Sequence, residues 1–214
     1  MPTMPPDLLL ALALFALVSS ITPGPNNAML LASGANFGMR RSLPHMAGVS
    51  IGFFILALAV GLVLGGLFAA VPVLHGVLKV IGAAYLLWLA WKIANAGGGL
   101  GVAFVARPQT FWQAVAFQWV NPKAWAMALG AMTAYAPPEH YAANVVLTAA
   151  VFTLVNAPCI ATWAGFGVAL RGVLDRPSRL KAFNWTMAGL LALSVAPVVF
   201  ELLKEGVAAI GSAR

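Results

Sequence analysis

Lys123 is the residue with the clearest chemical potential in this sequence, because it stands inside an apolar run, in the stretch Asn121-Pro122-Lys123. A charge near the centre of a bilayer costs on the order of 3 kcal/mol or more, and such a residue indicates a functional site. No Asp or Glu lies in the middle of any apolar run to pair with it. We therefore expect Lys123 to receive an anionic group, and a substrate carboxylate is the simplest one.

A second polar interruption, Thr-Pro-Gly-Pro-Asn-Asn at 22–27, breaks the first apolar run near its middle. Proline has no N–H and clashes with the carbonyl one turn earlier, so Pro23 and Pro25 leave carbonyls without their usual donors. Residues that precede proline avoid helical angles, which predicts extended backbone at Thr22 and Gly24. The run should therefore form two half-helices joined by open backbone, which lipid tolerates only beside protein or a watery cavity.

Both interruptions predict the start of a new half-helix. Asn121 is a favoured N-cap, and Pro122 and Pro25 are favoured first residues of a helix. The free N–H groups at a helix start carry a partial positive charge. Asn26 and Asn27 add amide donors and acceptors beside one of these starts. Two helix N-termini and one ammonium are a suitable receptor for the carboxylate of a substrate.

The predicted substrate-binding residues come from these two interruptions and from one asparagine in a later apolar run. Asn156 precedes Pro158 by two residues, and it either lines the pathway or bonds to a neighbouring helix. We predict no catalytic residue, cofactor or metal site, since no histidine has a second histidine or acid at ligand spacing. The full set is Thr22, Pro23, Gly24, Pro25, Asn26, Asn27, Asn121, Pro122, Lys123 and Asn156.

The composition requires that lipid surround most of these elements. The chain has 214 residues, of which 62% are hydrophobic and 8% charged, and its mean hydropathy is +0.92. Too few polar residues remain to cover a soluble domain of this length. The net charge of +7 does not indicate nucleic acid as a partner, because the basic residues are scattered between apolar runs. The single cysteine, Cys159, excludes an intramolecular disulfide and a thiol–disulfide electron carrier.

The apolar runs predict an all-α polytopic membrane protein with six spans, each near the roughly 20 residues that a helix needs to cross a bilayer. Alternate connections hold eight basic residues on one side and three on the other. Positive loops stay in the cytoplasm, so both termini should face the periplasm. The spans are predicted at 7–37, 44–70, 74–93, 111–135, 141–170 and 182–203.

The chain divides into two halves with the same plan. We predict a first three-span repeat at 1–95, a cytoplasmic connection at 96–110 and a second three-span repeat at 111–205, all within one membrane domain. The first helix of each repeat carries a proline break near its middle. Because three is an odd number of spans, the repeats must be inverted relative to each other. Inverted repeats with broken helices are typical of transporters that bind substrate near the midplane.

Three segments resemble the LysE/RhtB family of amino-acid exporters in order and spacing. They are "TPGPNNAMLLASGANFGMRRSLPHMAGVSIGF" at 22–53, "IGAAYLLWLAWKI" at 81–93 and "FWQAVAFQWVNPKAW" at 111–125. Within the family, "PGPNN" and "GAAYLLWLAWKI" look closest to the cysteine/O-acetylserine exporter branch. The resemblance implies a bacterial inner-membrane protein that moves amino acids or small derivatives outward.

The sequence departs from the family's lysine and arginine exporters, which carry acidic residues within their spans. The stretch Met46 to Val60 contains none. This favours a neutral zwitterion of the cysteine/O-acetylserine or threonine/homoserine type, with its carboxylate at Lys123 and its amino group at carbonyls and amides. We expect the proton gradient to drive export, and a second copy of the chain is a candidate partner. The alternative is an exporter of basic amino acids or of an inorganic ion from the wider superfamily. A primary pump is disfavoured because the sequence has no nucleotide-binding P-loop.

Overall fold

A computed structural model describes residues 4–64, 80–81, 84, 87–88, 90–91, 94–95, 108–173 and 176–212, with some side chains near the C-terminus excepted. All regular elements in this part of the chain are helical. The helices are α1 (Pro6–Ile21), α2 (Pro25–Phe37), α3 (Met39–Ala59), α4 (Phe111–Gln118), α5 (Pro122–Tyr135), α6 (Tyr141–Leu170) and α7 (Pro177–Ser212). A π-helical turn, Val60–Leu64, continues α3, and a 3₁₀ turn, Arg171–Val173, follows α6.

The predicted all-α class is confirmed for the described residues, whereas the six-span inverted repeat remains a prediction. Within the described part of the chain, two stretches are long and apolar enough to cross a bilayer, Met39–Val63 and Tyr141–Val173. The bent pair formed by α1 and α2 adds a third if it counts as one span. Most of the predicted span at 74–93, and most of the predicted connection at 96–110, lie outside the described residues.

Helix α6 is the element around which the described helices pack, since it contacts α1, α2 and α3. The ring centroid of Phe152 on α6 lies 4.7 Å from the ring centroid of Phe53 on α3 and 5.9 Å from that of Phe15 on α1. Pro158 lies inside α6, yet the helix runs unbroken from Tyr141 to Leu170. A lone proline in a span therefore does not produce the interruption seen at residues 22–24.

Helices α2 and α6 approach closely because glycine stands on both sides of the contact. A Cβ atom on Gly34 of α2 would collide with the backbone carbonyl of Ala164 on α6. A Cβ atom on Gly167 of α6 would in turn lie 2.7 Å from the backbone nitrogen of Ala35. Small residues allow helices to associate this tightly in membranes. This contact fixes α2, which begins at the first break, against a continuous helix.

Candidate functional site

The first break separates α1 from α2 at residues 22–24, as the sequence predicts. The two helices are bent by 56°. Thr22 is extended, with φ −63° and ψ 144°, and Gly24 is fully extended, with φ −177° and ψ 179°. Pro25 is the first residue of α2, a position that its missing N–H makes favourable. The prolines therefore end one helix and start the next within three residues.

Side chains satisfy the carbonyl groups that this break leaves without helical donors. The Nδ2 atom of Asn27 donates to the carbonyl oxygens of Ser20 and Thr22, both at 2.8 Å. The indole Nε1 of Trp163 on α6 donates to the carbonyl of Ile21 at 3.2 Å. A backbone carbonyl without a partner is costly in the interior of a bilayer, so these donors stabilise the broken conformation. The structure thus gives Asn27 a backbone-binding role, and Trp163 is a contributor that the sequence pattern did not indicate.

The second break separates α4 from α5 and follows the predicted capping pattern. The side-chain Oδ1 of Asn121 accepts a hydrogen bond from the backbone N–H of Lys123 at 3.1 Å, which confirms Asn121 as an N-cap. Pro122 is the first residue of α5. The indole Nε1 of Trp125 donates to the carbonyl of Trp119 at 2.8 Å. At this break too, side chains form hydrogen bonds with backbone N–H and carbonyl groups that a continuous helix would have paired with each other.

The ammonium group of Lys123 reaches from the second break to the first. Its Nζ donates to the carbonyl of Thr22 at 2.7 Å, to the Thr22 hydroxyl at 2.9 Å and to the carbonyl of Pro23 at 3.2 Å. An ammonium has three N–H donors, so all three have neutral oxygen acceptors. None of these partners within the described residues is a carboxylate, as the absence of acids from the apolar runs predicts. The hydrogen bonds are satisfied, but the charge is not neutralised.

A second contact between the two breaks is a pair of hydrogen bonds between two side-chain amides. Asn26, in the first turn of α2, donates from Nδ2 to the Gln118 Oε1 at 2.9 Å, and the Gln118 Nε2 donates back to the Asn26 Oδ1 at 3.1 Å. The Gln118 Nε2 also donates to the carbonyl of Ala114 at 3.0 Å. Gln118 is the last residue of α4 and is 0% exposed. This amide pair connects the start of α2 with the end of α4.

A polar cavity lies between the two breaks. Its free volume is about 20 Å³, room for roughly one water molecule, so it is too narrow as it stands for a whole amino acid. The hydroxyl Oγ of Ser20, a residue 3% exposed, lines it without a hydrogen-bond partner. The walls also include the apolar side chains of Phe53 and Met127. The remaining lining residues are Ser19, Gly24, Asn26, Asn27, Asn121, Lys123, Ala124 and Asn156.

The ten predicted binding residues form three groups at or near this cavity. Thr22 and Pro23 provide the oxygen atoms that hold the lysine ammonium. Pro25 and Pro122 start the two half-helices. The other six line the cavity: Gly24, Asn26, Asn27, Asn121, Lys123 and Asn156.

Besides Trp163, three polar residues of the site were missed from the sequence, and one of them, Ser19, lines the cavity next to Ser20. Ser20 precedes the break by two residues, and Gln118 precedes Asn121 by three, so proximity to the breaks was the available signal. A polar side chain in an apolar run is also unusual enough to indicate either a helix contact or a site. Asn156 comes from α6, far from both breaks in sequence, and it is 5% exposed at the cavity wall.

Comparison with known proteins supports the resemblance seen in the sequence. The chain is 33% identical over 202 residues to the cysteine/O-acetylserine efflux protein of Klebsiella pneumoniae subsp. pneumoniae, over 92% of this chain and 100% of that protein. It is 36% identical over 151 residues to the protein of the same name from Escherichia coli strain HS, over 69% and 75% of the two chains. The cysteine/O-acetylserine efflux protein of Salmonella typhi is 34% identical over 144 residues, which cover 67% of this chain and 73% of that protein.

No solved structure matches this chain. The sequence profile of LysE type translocators matches residues 17–204, which include both breaks and every residue that lines the cavity. The chain therefore belongs to the LysE type translocator family, whose members are membrane transporters and not enzymes.

Proposed function

We propose that this protein is a secondary transporter that exports neutral amino acids or small derivatives across the bacterial inner membrane. Substrates of the cysteine/O-acetylserine type are favoured, because the relatives described above carry that name. The observation that carries the proposal is the position of Lys123. Its ammonium lies where two broken helices meet, beside a polar cavity, and its acceptors are neutral oxygens.

The substrate carboxylate binds near the Lys123 ammonium. Three neutral oxygens satisfy the hydrogen bonds of this group but leave its full positive charge uncompensated. In a membrane such a charge is costly, and an anion that enters the cavity lowers that cost. The amides of Asn26, Asn121 and Asn156 line the same cavity and supply polar contacts that fix the orientation of the substrate.

A neutral zwitterion fits the cavity better than a dibasic amino acid or a metal ion. None of the described residues that line the cavity is acidic, and one of them is cationic. A second positive charge on the substrate would therefore meet repulsion from Lys123 without a compensating carboxylate. Among the described residues, no group of three or more His, Cys, Asp or Glu side chains lies together as a metal-ligand set.

Two inverted three-span repeats, 1–95 and 111–205, form the transport unit, with both termini in the periplasm. Support comes from the two links between the breaks. The ammonium of Lys123 in the second repeat donates to the carbonyl of Thr22 in the first. The amide of Asn26 in the first repeat donates to Gln118 in the second. Such reciprocal contacts are suited to rocking of one repeat against the other around a fixed site. The proton gradient drives the cycle.

Metabolite profiling of the growth medium tests the proposed function. Cells that overproduce the wild-type chain should enrich the medium in cysteine, O-acetylserine or threonine relative to cells with an empty vector. Cells that produce Lys123→Met at the same membrane level should not. If wild-type and variant cells release the same amino acids in the same amounts, the proposed role of Lys123 in export is wrong.

Labelling of introduced cysteines tests the proposed orientation. Single cysteines at positions 100 and 175, which both lie outside the described residues, should resist an impermeant thiol reagent in intact cells and react after permeabilisation. The background for this experiment is a Cys159→Ala chain, since Cys159 is the one native thiol. Reaction of either site in intact cells would place that connection in the periplasm and contradict the orientation.

A further inference from the structure

We propose that the oxygen atoms at the end of α1 form the binding site for the substrate's ammonium group, and that Lys123 occupies this site until substrate replaces it. The site consists of the Thr22 carbonyl, the Thr22 hydroxyl and the Pro23 carbonyl. This inference rests on the proposed export of amino acids. Beyond that function, it assigns a subsite to the substrate's ammonium group, and it proposes that this group replaces the ammonium of Lys123 there.

The three oxygens have the geometry and the charge that a primary ammonium needs. They surround the Nζ of Lys123 at 2.7, 2.9 and 3.2 Å, which matches its three donors. They also lie at the C-terminal end of α1, where the helix dipole favours a positive charge. An α-ammonium has the same three N–H donors as the lysine group, so the same oxygens can bind it.

The other carbonyls at the end of α1 are not available to a substrate. The Thr22 hydroxyl donates to the Ser19 carbonyl at 2.9 Å, and Asn27 donates to the carbonyl of Ser20. Trp163 donates to the carbonyl of Ile21. The carbonyl of Pro23 accepts from Lys123 alone among the described donors. The Thr22 carbonyl also accepts from the Asn27 Nδ2 at 2.8 Å, and its second lone pair accepts from Lys123. That lone pair, the Thr22 hydroxyl and the Pro23 carbonyl are the acceptors that remain for a cation, and in this structure that cation is the lysine.

The displaced lysine ammonium moves toward the cavity beside the cluster, which must widen to receive the substrate. Ser20 lines this cavity, and its buried hydroxyl, which has no partner in this structure, can accept a hydrogen bond. A zwitterion brings one positive and one negative charge. Its ammonium takes the oxygen cluster, and its carboxylate pairs with the Lys123 ammonium in the cavity. Both charges of the substrate and the charge of the lysine then have partners.

The exchange also affects the connection between the repeats. In this structure the lysine ties the start of α5 to the end of α1. A substrate that carries a free ammonium releases this tie, whereas an acid without an ammonium does not. The inference therefore predicts that substrates require a free amino group, and that binding loosens the contact between the two broken helices.

Two isomeric probes test the ammonium site directly. O-acetylserine and N-acetylserine contain the same atoms and both have a carboxylate, but the second has no ammonium. Titration calorimetry on the purified full-length protein in lipid nanodiscs should show N-acetylserine binding roughly ten- to a hundred-fold more weakly, the effect of losing charge-assisted hydrogen bonds. Equal affinities would overturn the ammonium site and leave amino-acid export standing. Absence of binding by either probe, and by cysteine, would contradict the proposed function itself.

The Lys123→Met variant tests the exchange, because it empties the oxygen cluster while preserving most of the side-chain volume. Cysteamine, an amine that lacks a carboxylate, must compete with the lysine in the wild-type protein. Its affinity should rise about ten-fold in Lys123→Met. O-acetylserine should bind more weakly, because losing the ammonium that pairs with its carboxylate outweighs the access that its own ammonium gains to the vacated oxygens. Lys181→Met, which removes an exposed cation from α7, is the matched control and should change neither affinity.

Gly24→Ala provides an independent test if Lys123→Met folds poorly. A Cβ atom on Gly24 would lie 2.6 Å from Cδ and 3.0 Å from Nζ of Lys123, so it should push the flexible lysine away from the cluster. The backbone at Gly24 is extended and suits alanine. Cysteamine should again bind more tightly than to the wild-type protein. Unchanged cysteamine affinity in both variants would overturn the exchange.

Discussion

The amide pair between Asn26 and Gln118 allows a quantitative test of whether the two breaks act as one unit. Asn26→Ala removes both hydrogen bonds and leaves the Oε1 of Gln118 without its donor, in a side chain that is 0% exposed. Gln118→Met also removes both bonds, but it leaves the unpaired amide on Asn26, which is only partly buried and lines the cavity. The first substitution should therefore be the more damaging.

The expected sizes follow from these environments. A buried polar group that loses its partner costs about 1–3 kcal/mol, which applies to Asn26→Ala. Gln118→Met should cost about 1 kcal/mol, since water in the cavity can solvate the amide of Asn26. Measured couplings between membrane helices average about 0.6 kcal/mol and reach about 1.7 kcal/mol for one hydrogen bond. Two reciprocal bonds should thus give a coupling free energy of about 1–2 kcal/mol, by which the double variant is less destabilised than the sum of the single variants.

The assay is reversible unfolding of the purified chain in mixed micelles, titrated with a denaturing detergent and followed by tryptophan fluorescence. Asn36→Ala is the matched control, because the amide of Asn36 bonds to the Ala32 carbonyl within α2 and does not cross to α4. Its effect should add to that of Gln118→Met. Additivity within about 0.3–0.5 kcal/mol for the Asn26 and Gln118 pair as well would refute the idea that this contact couples the breaks.

Two further substitutions test the break and the packing that supports it. The double variant Pro23→Ala, Pro25→Ala should insert normally but export poorly, because alanine favours a continuous helix; export at the wild-type rate would show that the break is dispensable. Gly34→Ala should lower the unfolding free energy in the same micelle assay, since its Cβ atom collides with the backbone of Ala164. A Cβ atom on Gly189 of α7 meets no described atom within 4 Å apart from the backbone of its own helix, so Gly189→Ala should be neutral or slightly stabilising. Equal effects of the two glycine variants would contradict the close packing.

The breaks could be predicted from sequence because proline acts locally. Two prolines on either side of Gly24, and a capping asparagine directly before Pro122, determine where α1 ends and where α2 and α5 begin, whereas the lone Pro158 leaves α6 unbroken. Asn121 was predictable as a cap for the same reason, since its bond to the Lys123 N–H spans two residues. The end of α6 at Leu170 also agrees with the apolar run at 141–170.

The contacts between the breaks could not be predicted in this way, because they depend on how distant helices approach each other. Lys123 and Thr22 are separated by 101 positions, and Asn26 and Gln118 by 92. The sequence indicated that Lys123 has no acidic partner, but it did not reveal that three neutral oxygens bind its ammonium. Ser20 resembles any small polar residue in a span, and only the packed structure shows it buried at the cavity without a partner.

The dependence of transport affinity on Lys123 is the most direct test of the central claim that this residue binds the substrate. Uptake of labelled O-acetylserine into inside-out vesicles should show an apparent KM raised roughly ten- to a hundred-fold in Lys123→Ala. Lys123→Arg should recover only part of the affinity, because a planar guanidinium does not reproduce a compact ammonium. Lys181→Ala should transport like the wild-type protein. An unchanged apparent KM in Lys123→Ala, at equal protein levels in the membrane, would contradict the account.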